Sequence, residues 1–386
     1  MAEVFAQRTW AEIDLDRIAH NYHILRQRAG GARFLGVVKA NAYGCGAIQV
    51  ARKLESLGAD YLAVACFDEA RELREAGIAL PLLILGYTPP AVTDQLLELN
   101  ITQAVSSTAA AAAYSAEAVR CGKTLKIHVK IDTGMTRLGF QVRGDAFRQG
   151  VDAAAQICSL PGLEAEGIFT HMAVSDEPNA DCEAYTREQF DLFMQTIEAL
   201  AQQGHTFAIR HCTNSGASAY YPEMALDMVR PGIALYGAGD FAPEVGLLPV
   251  MRLKTTVYDT RICPADTTIS YGRTYRTGAV TRTGVMPIGY ADGLFRCLSN
   301  RMSMVTEHGS APQIGRICMD MCMIDLTELE NVQVGDTVEI FGDRQSVNEL
   351  AALAGTIPYE LMCAVSRRIP RFYYENGTVT ECVRYM

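Results

Sequence analysis

An eight-unit (β/α) barrel of the TIM type followed by a second, mostly β domain is the fold class predicted by three features of the sequence. Apolar runs of strand length recur along the first part, amphipathic stretches of helix length separate them, and the texture changes near residue 241. The 386 residues, 49% hydrophobic and 20% charged, suit a well-packed globular chain with room for two domains.

The strand candidates are Phe34–Val38, Tyr61–Val64, Leu82–Leu85, a weak Gln103–Val105, Leu125–Ile131, Leu163–Phe169, Phe207–His211 and Met228–Arg230. Unbroken apolar runs, as opposed to alternating ones, fit parallel strands covered on both faces. Helical periodicity is clearest in Ala47–Leu57, Asp68–Ala76 and Glu183–Gln203, each ending at or near a glycine. Ala109–Ala113 reads as structural, because alanine favours helix and a small-residue face lets a helix lie close to a barrel.

Proline and glycine punctuate Phe241–Pro249, and short β-rich segments follow: Leu253–Tyr258, Val285–Pro287, Met302–Val305 and Thr337–Ile340. One helix is expected in this part, Val347–Ala354, opened by Ser346 and closed by Gly355. These features divide the chain into 1–245 and 246–386, with Arg8–Ile13 a strand open to joining the second domain.

A net charge of -10, from 34 basic and 44 acidic residues without a basic block, argues against nucleic acid as a partner. Met1-Ala2-Glu3-Val4-Phe5 lacks the pattern of a secretory leader, and no apolar span is long enough for a membrane, so a cytoplasmic protein is expected. The twelve cysteines are scattered without metal-ligand spacing, which predicts free thiols and no metal.

Chemistry is first suggested by Val37-Val38-Lys39-Ala40-Asn41-Ala42-Tyr43-Gly44-Cys45-Gly46, where a strand delivers a lysine at its C-terminal end, the functional end of a barrel. Partial desolvation there would leave a neutral, nucleophilic amine able to form a Schiff base. Taken alone, Lys39 reads more simply as a lysine running out to solvent.

The segment resembles, residue for residue, the pyridoxal-phosphate attachment motif of the alanine racemase family. The likeness continues in Lys130-Ile131-Asp132-Thr133-Gly134-Met135-Thr136-Arg137-Leu138-Gly139, Thr170-His171, Asn214-Ser215 and Val229-Arg230-Pro231-Gly232-Ile233-Ala234-Leu235-Tyr236-Gly237. The second domain adds Ile269-Ser270-Tyr271-Gly272, Gly289-Tyr290-Ala291-Asp292-Gly293, Gly315-Arg316-Ile317-Cys318-Met319-Asp320 and Arg367-Arg368-Ile369-Pro370-Arg371.

The resemblance implies that Lys39 carries pyridoxal 5'-phosphate and that Tyr43, His171, Asn214, Ser215, Arg230, Gly232, Ile233 and Tyr359 bind it. Position in a barrel agrees, since phosphate commonly sits at the loops after strands seven and eight, here Asn214-Ser215-Gly216 and Gly232-Ile233. Each loop alone is an ordinary turn, and Arg230 alone reads as half of a surface ion pair. By the same likeness Arg230 faces the pyridine nitrogen, and a guanidinium that keeps its proton leaves that nitrogen bare and the ring a weaker electron sink.

Racemisation needs a group on each face of Cα. The resemblance assigns Lys39 to one and Tyr271, from the partner subunit of a homodimer, to the other, with His171 as the neighbour coupling Tyr271 to Arg230. Arg137 and the backbone of Met319 are implied to hold the substrate carboxylate, Lys130 matches a lysine that is often carbamylated, and Tyr290 and Asp320 line the entrance. Alanine is the expected substrate and D-alanine for peptidoglycan the expected product. Serine, or serine with alanine, is the alternative on this scaffold, against which Tyr359 argues. A barrel-type decarboxylase and a non-catalytic cofactor carrier fit less well, the first for want of a glycine-triplet loop and the second because carriers lack a Tyr271 domain. Met321, Thr136 and Leu294-Phe295 depart from the family pattern at the entrance and its supporting shell.

Overall fold

The computed structural model describes residues 8–385, so the reading made on Met1–Phe5 lies outside the described residues. Strands β2 (Arg33–Val37), β3 (Tyr61–Val64), β4 (Leu82–Ile84), β5 (Ile101–Val105), β6 (Leu125–Asp132), β8 (Leu163–Phe169), β9 (Ile209–His211) and β10 (Met228–Val229) form a parallel barrel in the order β10-β2-β3-β4-β5-β6-β8-β9. A two-residue strand, β7 (Phe140–Gln141), pairs with β6 off this path. Backbone bonds from Asp227 N to Arg210 O, 3.0 Å, and from Arg230 N to Thr213 O, 3.1 Å, bring the last two strands together and nearly close the ring. The Arg210–Asp227 ion pair, 2.7 Å, reinforces the same seam.

Most strands match apolar runs in the sequence because they are buried on both sides: Leu82, Leu83 and Ile84, for example, are all fully inaccessible, whereas β8 is buried only from Gly167 onward. The faint signal at β5 has a cause. Thr102 and Gln103 are buried there, and the Gln103 amide is occupied by the Gly86 and Ala104 carbonyls. The alanine-rich helix spans Thr108–Arg120, starts at the Ser107 cap, and buries Ala111, Ser115 and Ala118 at helical spacing.

The second domain is a ten-stranded sheet ordered β12-β15-β18-β17-β16-β19-β11-β1-β20-β21, where β1 is Thr9–Asp14 and β11 is Met251–Thr256. In order, β12 is Asp259–Cys263, β15 Thr281–Met286, β16 Ser303–Thr306, β17 Gly309–Ile314, β18 Cys322–Asp325, β19 Thr337–Phe341, β20 Arg371–Glu375 and β21 Thr378–Val383. A separate hairpin pairs β13 (Thr268–Ile269) with β14 (Tyr275–Arg276). The N-terminal β1 lies between β11, antiparallel, and β20, parallel. It then runs into the helix Leu15–Arg28, capped by the Asp14 side chain, which leads into the barrel.

Val347–Ala354 is a helix with a Ser346 cap and a left-handed Gly355, as the sequence indicates. A second helix, Pro358–Ala364, stands where only one was expected. It is seven residues long, and its start is marked by Pro358 alone, without a side-chain cap.

Candidate active site

Lys39 follows β2 at the C-terminal rim, and the next four residues adopt left-handed geometry, with φ of 52° to 54° from Ala40 to Tyr43. Gly44 and Gly46 continue the positive φ, at 84° and 101°, but the four residues before them are not glycine, and for them the conformation costs roughly 1–2 kcal/mol per residue. Hydrogen bonds hold it: Ala42 N to Val38 O, 2.9 Å, Gly44 N to Ala40 O, 3.1 Å, and Gly46 N to Asn41 O, 2.9 Å. Glu69 accepts from Ala40 N at 2.6 Å and from Ala65 N at 2.7 Å, joining the ends of β2 and β3.

The second domain grips the far end of this turn. Arg371, fully buried, donates to the carbonyls of Gly44, Val365, Ser366 and Ile369, and the Tyr373 hydroxyl donates to Cys45 O at 2.9 Å. A Cβ on Gly44 would lie 2.3 Å from Met362 O, whereas one on Gly58, at a similar φ, would meet open space. Gly44→Ala is therefore expected to lose about 1–3 kcal/mol more stability than Gly58→Ala, the scale of overpacking. Denaturant midpoints of the two variants measure that difference.

Four basic side chains gather at the barrel mouth. Burial first, then the charge of Arg137, lowers the pKa of Lys39, while Glu69 and Cys363 oppose the shift. Burial likewise drives Lys130 well down, helped by Arg230 and Arg137, and its Nζ sits 4.6 Å from the centroid of Phe169. Arg230 is lowered to about 10 by burial. His171 is held neutral by burial and by the charges of Lys130, Arg230, Arg137 and Lys39, with its Nδ1 3.4 Å from Arg230. None of Lys39, Lys130, Arg137 and Arg230 has a carboxylate within ion-pair distance among the described residues; the nearby ion pairs go to Lys126 and Arg210.

Beside this cluster, Asn214 caps the helix Ser215–Tyr220 by accepting from Ala217 N at 2.9 Å. The Ser215 hydroxyl accepts from Gly232 N at 2.8 Å and Ala234 N at 3.2 Å, at the start of the turn Ile233–Tyr236. The two loops thus meet through one hydroxyl. Gly232 is needed there, since a Cβ would come within 2.4 Å of the Tyr43 hydroxyl. Tyr43 in turn packs against Tyr359, ring centroids 6.0 Å apart, and burial pushes both phenols up.

Tyr271, Met319 and Asp320 sit apart from these groups. They line a cleft of about 700 Å³ in the second domain, together with Met321 and Ile269. Tyr271 is 73% exposed and Met319 54%. Tyr290 is also exposed, on the turn that packs against Cys318 and Met319. Asp320 pairs with Arg368 at 2.5 Å. One chain therefore presents two separate groups, a barrel mouth lined by basic side chains and an exposed tyrosine cleft. The sequence reading missed Glu69, Cys363 and Arg371 as parts of the mouth; only Arg371 stood in a quoted motif.

The family model described as alanine racemase, N-terminal domain, matches residues 13–240, and that of the C-terminal domain matches 250–373. Alanine racemase of Clostridium perfringens is 41% identical over 392 residues, covering 100% of both chains. Alanine racemase 2 of Caldanaerobacter subterraneus subsp. tengcongensis is 42% identical, covering 98% of each. Among solved structures, alanine racemase of Clostridium difficile 630 superposes with a TM-score of 0.92 at 36% identity over 99% of both chains. That of Bacillus anthracis with bound L-Ala-P gives 0.87 at 33% over 98% of both.

Proposed function

The chain belongs to the alanine racemase family and is an amino-acid racemase, and from that premise we propose that it interconverts L- and D-alanine with pyridoxal 5'-phosphate, using two bases from two subunits. The observation that carries the cofactor reading is the barrel mouth itself. Four basic groups without carboxylate partners, two of them lysine amines depressed by burial, and a serine hydroxyl that accepts from two loop amides and keeps its own proton to donate, beside a tyrosine hydroxyl, suit an anionic, aldehyde-bearing ligand. Bound there, the cofactor supplies an electron-withdrawing ring that acidifies the Cα proton of an attached amino acid.

In this reading Lys39 holds the cofactor covalently. Tyr43, Asn214, Ser215, Gly232, Ile233 and Tyr359 take its phosphate, and Arg230, braced by His171, faces the ring nitrogen. A guanidinium keeps its proton, so it does not protonate that nitrogen. Arg137 and the Met319 backbone take the substrate carboxylate, and Lys130, kept neutral by burial, is the amine open to carbamylation. A carbamate there would place a negative charge among these cations and orient Arg137.

Lys39 moves a proton on one face of Cα, and the partner subunit's Tyr271 on the other. Two groups are required because one amine cannot reach both faces. Tyr290 and Asp320 would form the way in. A small site walled by Tyr359 and the partner subunit's Tyr271 would suit a methyl side chain. The division at residues 245 and 246 then separates the cofactor half from the Tyr271 half, β1 and Tyr359 excepted. We place the enzyme in the cytoplasm, supplying D-alanine to peptidoglycan; no helix among the described residues is long and apolar enough to cross a membrane.

The test is loss of optical rotation with L-alanine, L-serine and L-lysine, each with and without added pyridoxal 5'-phosphate. Alanine is expected to lose rotation fastest, and only with cofactor. No change with alanine ends the proposal, and a faster rate with serine replaces it by a serine racemase.

A further inference from the structure

Beneath the barrel mouth a line of buried polar side chains crosses the barrel interior. Arg230 Nη1 lies 3.0 Å from His211 Nδ1, His211 Nε2 lies 2.8 Å from His128 Nδ1, and His128 Nε2 lies 3.3 Å from Glu166 Oε2. At the far end Tyr61 donates to Glu166 Oε2 at 2.7 Å and Lys126 to Oε1 at 2.6 Å. Both histidines are fully buried. The barrel makes room for them: the register shifts between Ile127 and His128, and a Cβ on Gly167 would come within 2.7 Å of the His128 ring.

We propose that Glu166, His128 and His211 form a hydrogen-bond relay of fixed direction that orients Arg230, making the three of them positioning residues for racemisation. The direction follows from the two ends. Arg230 can only donate, so His211 accepts at Nδ1 and carries its proton on Nε2. That proton goes to His128 Nδ1, so His128 also carries its own on Nε2 and gives it to Glu166, an ionised carboxylate that only accepts.

A protonated His128 does not fit. It would donate from Nδ1 into a His211 ring already accepting from Arg230, and a neutral imidazole cannot accept at both nitrogens. Burial, the first cause in each case, keeps both rings neutral, in agreement with this count. Arg230 has no adjacent carboxylate: its other acceptors are the Thr170 and Cys212 carbonyls and His171. The opposite charge reaches it through the two rings.

Glu166, lowered to about 2 chiefly by hydrogen bonds from His128, Lys126 and Tyr61 against the opposing effect of burial, stays ionised throughout. Passing one proton along the relay would leave Arg230 neutral and Glu166 protonated, which these two groups disfavour. Arg230 thus keeps its proton and its aim. Only the last step, from Arg230 to catalysis, rests on the cofactor reading above.

The test is a tautomer measurement on the full-length, cofactor-loaded protein, by ¹⁵N resonance of labelled histidine without substrate, so its outcome does not depend on alanine turnover. In the wild type His128 and His211 are expected to carry protons on Nε2 alone. In Glu166→Gln the amide oxygen must face Lys126, which only donates, and this turns the NH₂ toward His128. The His128 proton then moves to Nδ1 and the His211–Arg230 bond breaks.

For that variant kcat for alanine should fall about 10- to 100-fold, the scale of one hydrogen bond to a charged group, while KM, set by Arg137, changes less than about threefold. Adding Lys126→Met frees the amide to turn over and restores the wild-type tautomers and part of kcat. A wild-type proton on Nδ1 of either ring, or a double variant no closer to wild type than Glu166→Gln, overturns the relay.

Discussion

Lys39→Ala is expected to abolish the visible absorbance of the cofactor-loaded protein and to lower alanine racemisation by at least about 10²–10⁴, the usual scale for a lost proton-transfer group. Two losses combine in one substitution, because in the proposed function the same Nζ anchors the cofactor and serves as a base. Borohydride reduction followed by peptide mass measurement separates them. The wild-type peptide containing Lys39 should gain the cofactor's mass and the variant peptide should not. A visible band that survives dialysis in Lys39→Ala would move the attachment to another amine, such as Lys130 at the same barrel mouth.

The loading reaction also has a pH signature. The amine of Lys39 is depressed by burial and by Arg137, so it remains neutral at pH values where an ordinary lysine is protonated. Attachment of added cofactor to the apoenzyme should therefore change little as pH falls toward neutrality. A free lysine amine loses about tenfold in neutral form per pH unit over the same range.

How far the sequence carries one toward this site depends on the kind of signal each part leaves. The eight barrel strands were readable because burial on two faces demands unbroken apolar runs, and even β10, two residues long, was marked by Met228 and Val229. Position at a strand end made Lys39 and Arg230 candidates, but each alone had a plainer reading, and only the motifs around them gave them roles. The left-handed turn was hidden, since alanine at positions 40 and 42 signals ordinary helix and nothing local announces Glu69 or Arg371 as its supports. Likewise His128, Glu166 and His211 stand on three strands, and their alignment across the barrel exists only once β6, β8 and β9 are in register.

Tyr271→Phe should slow conversion of L- to D-alanine by roughly 10²–10⁴ while leaving cofactor absorbance intact, because it removes one hydroxyl from a group that does not hold the cofactor. The sharper consequence concerns the division of the site between chains. Tyr271 is exposed in a cleft that none of the barrel-mouth residues lines, so in the proposed mechanism a complete site takes the tyrosine of a second copy. Mixing inactive Lys39→Ala with inactive Tyr271→Phe, with subunit exchange, should then restore activity. In the mixed dimer one site joins the altered lysine to the altered tyrosine and is dead, and the other joins Lys39 of one chain to the partner subunit's Tyr271 and is whole. Random pairing makes half the dimers mixed, with one working site in two, so recovery should approach about a quarter of wild-type activity. A mixture as inactive as its components would mean that both bases act within one chain, and the exposed tyrosine cleft would then require another explanation.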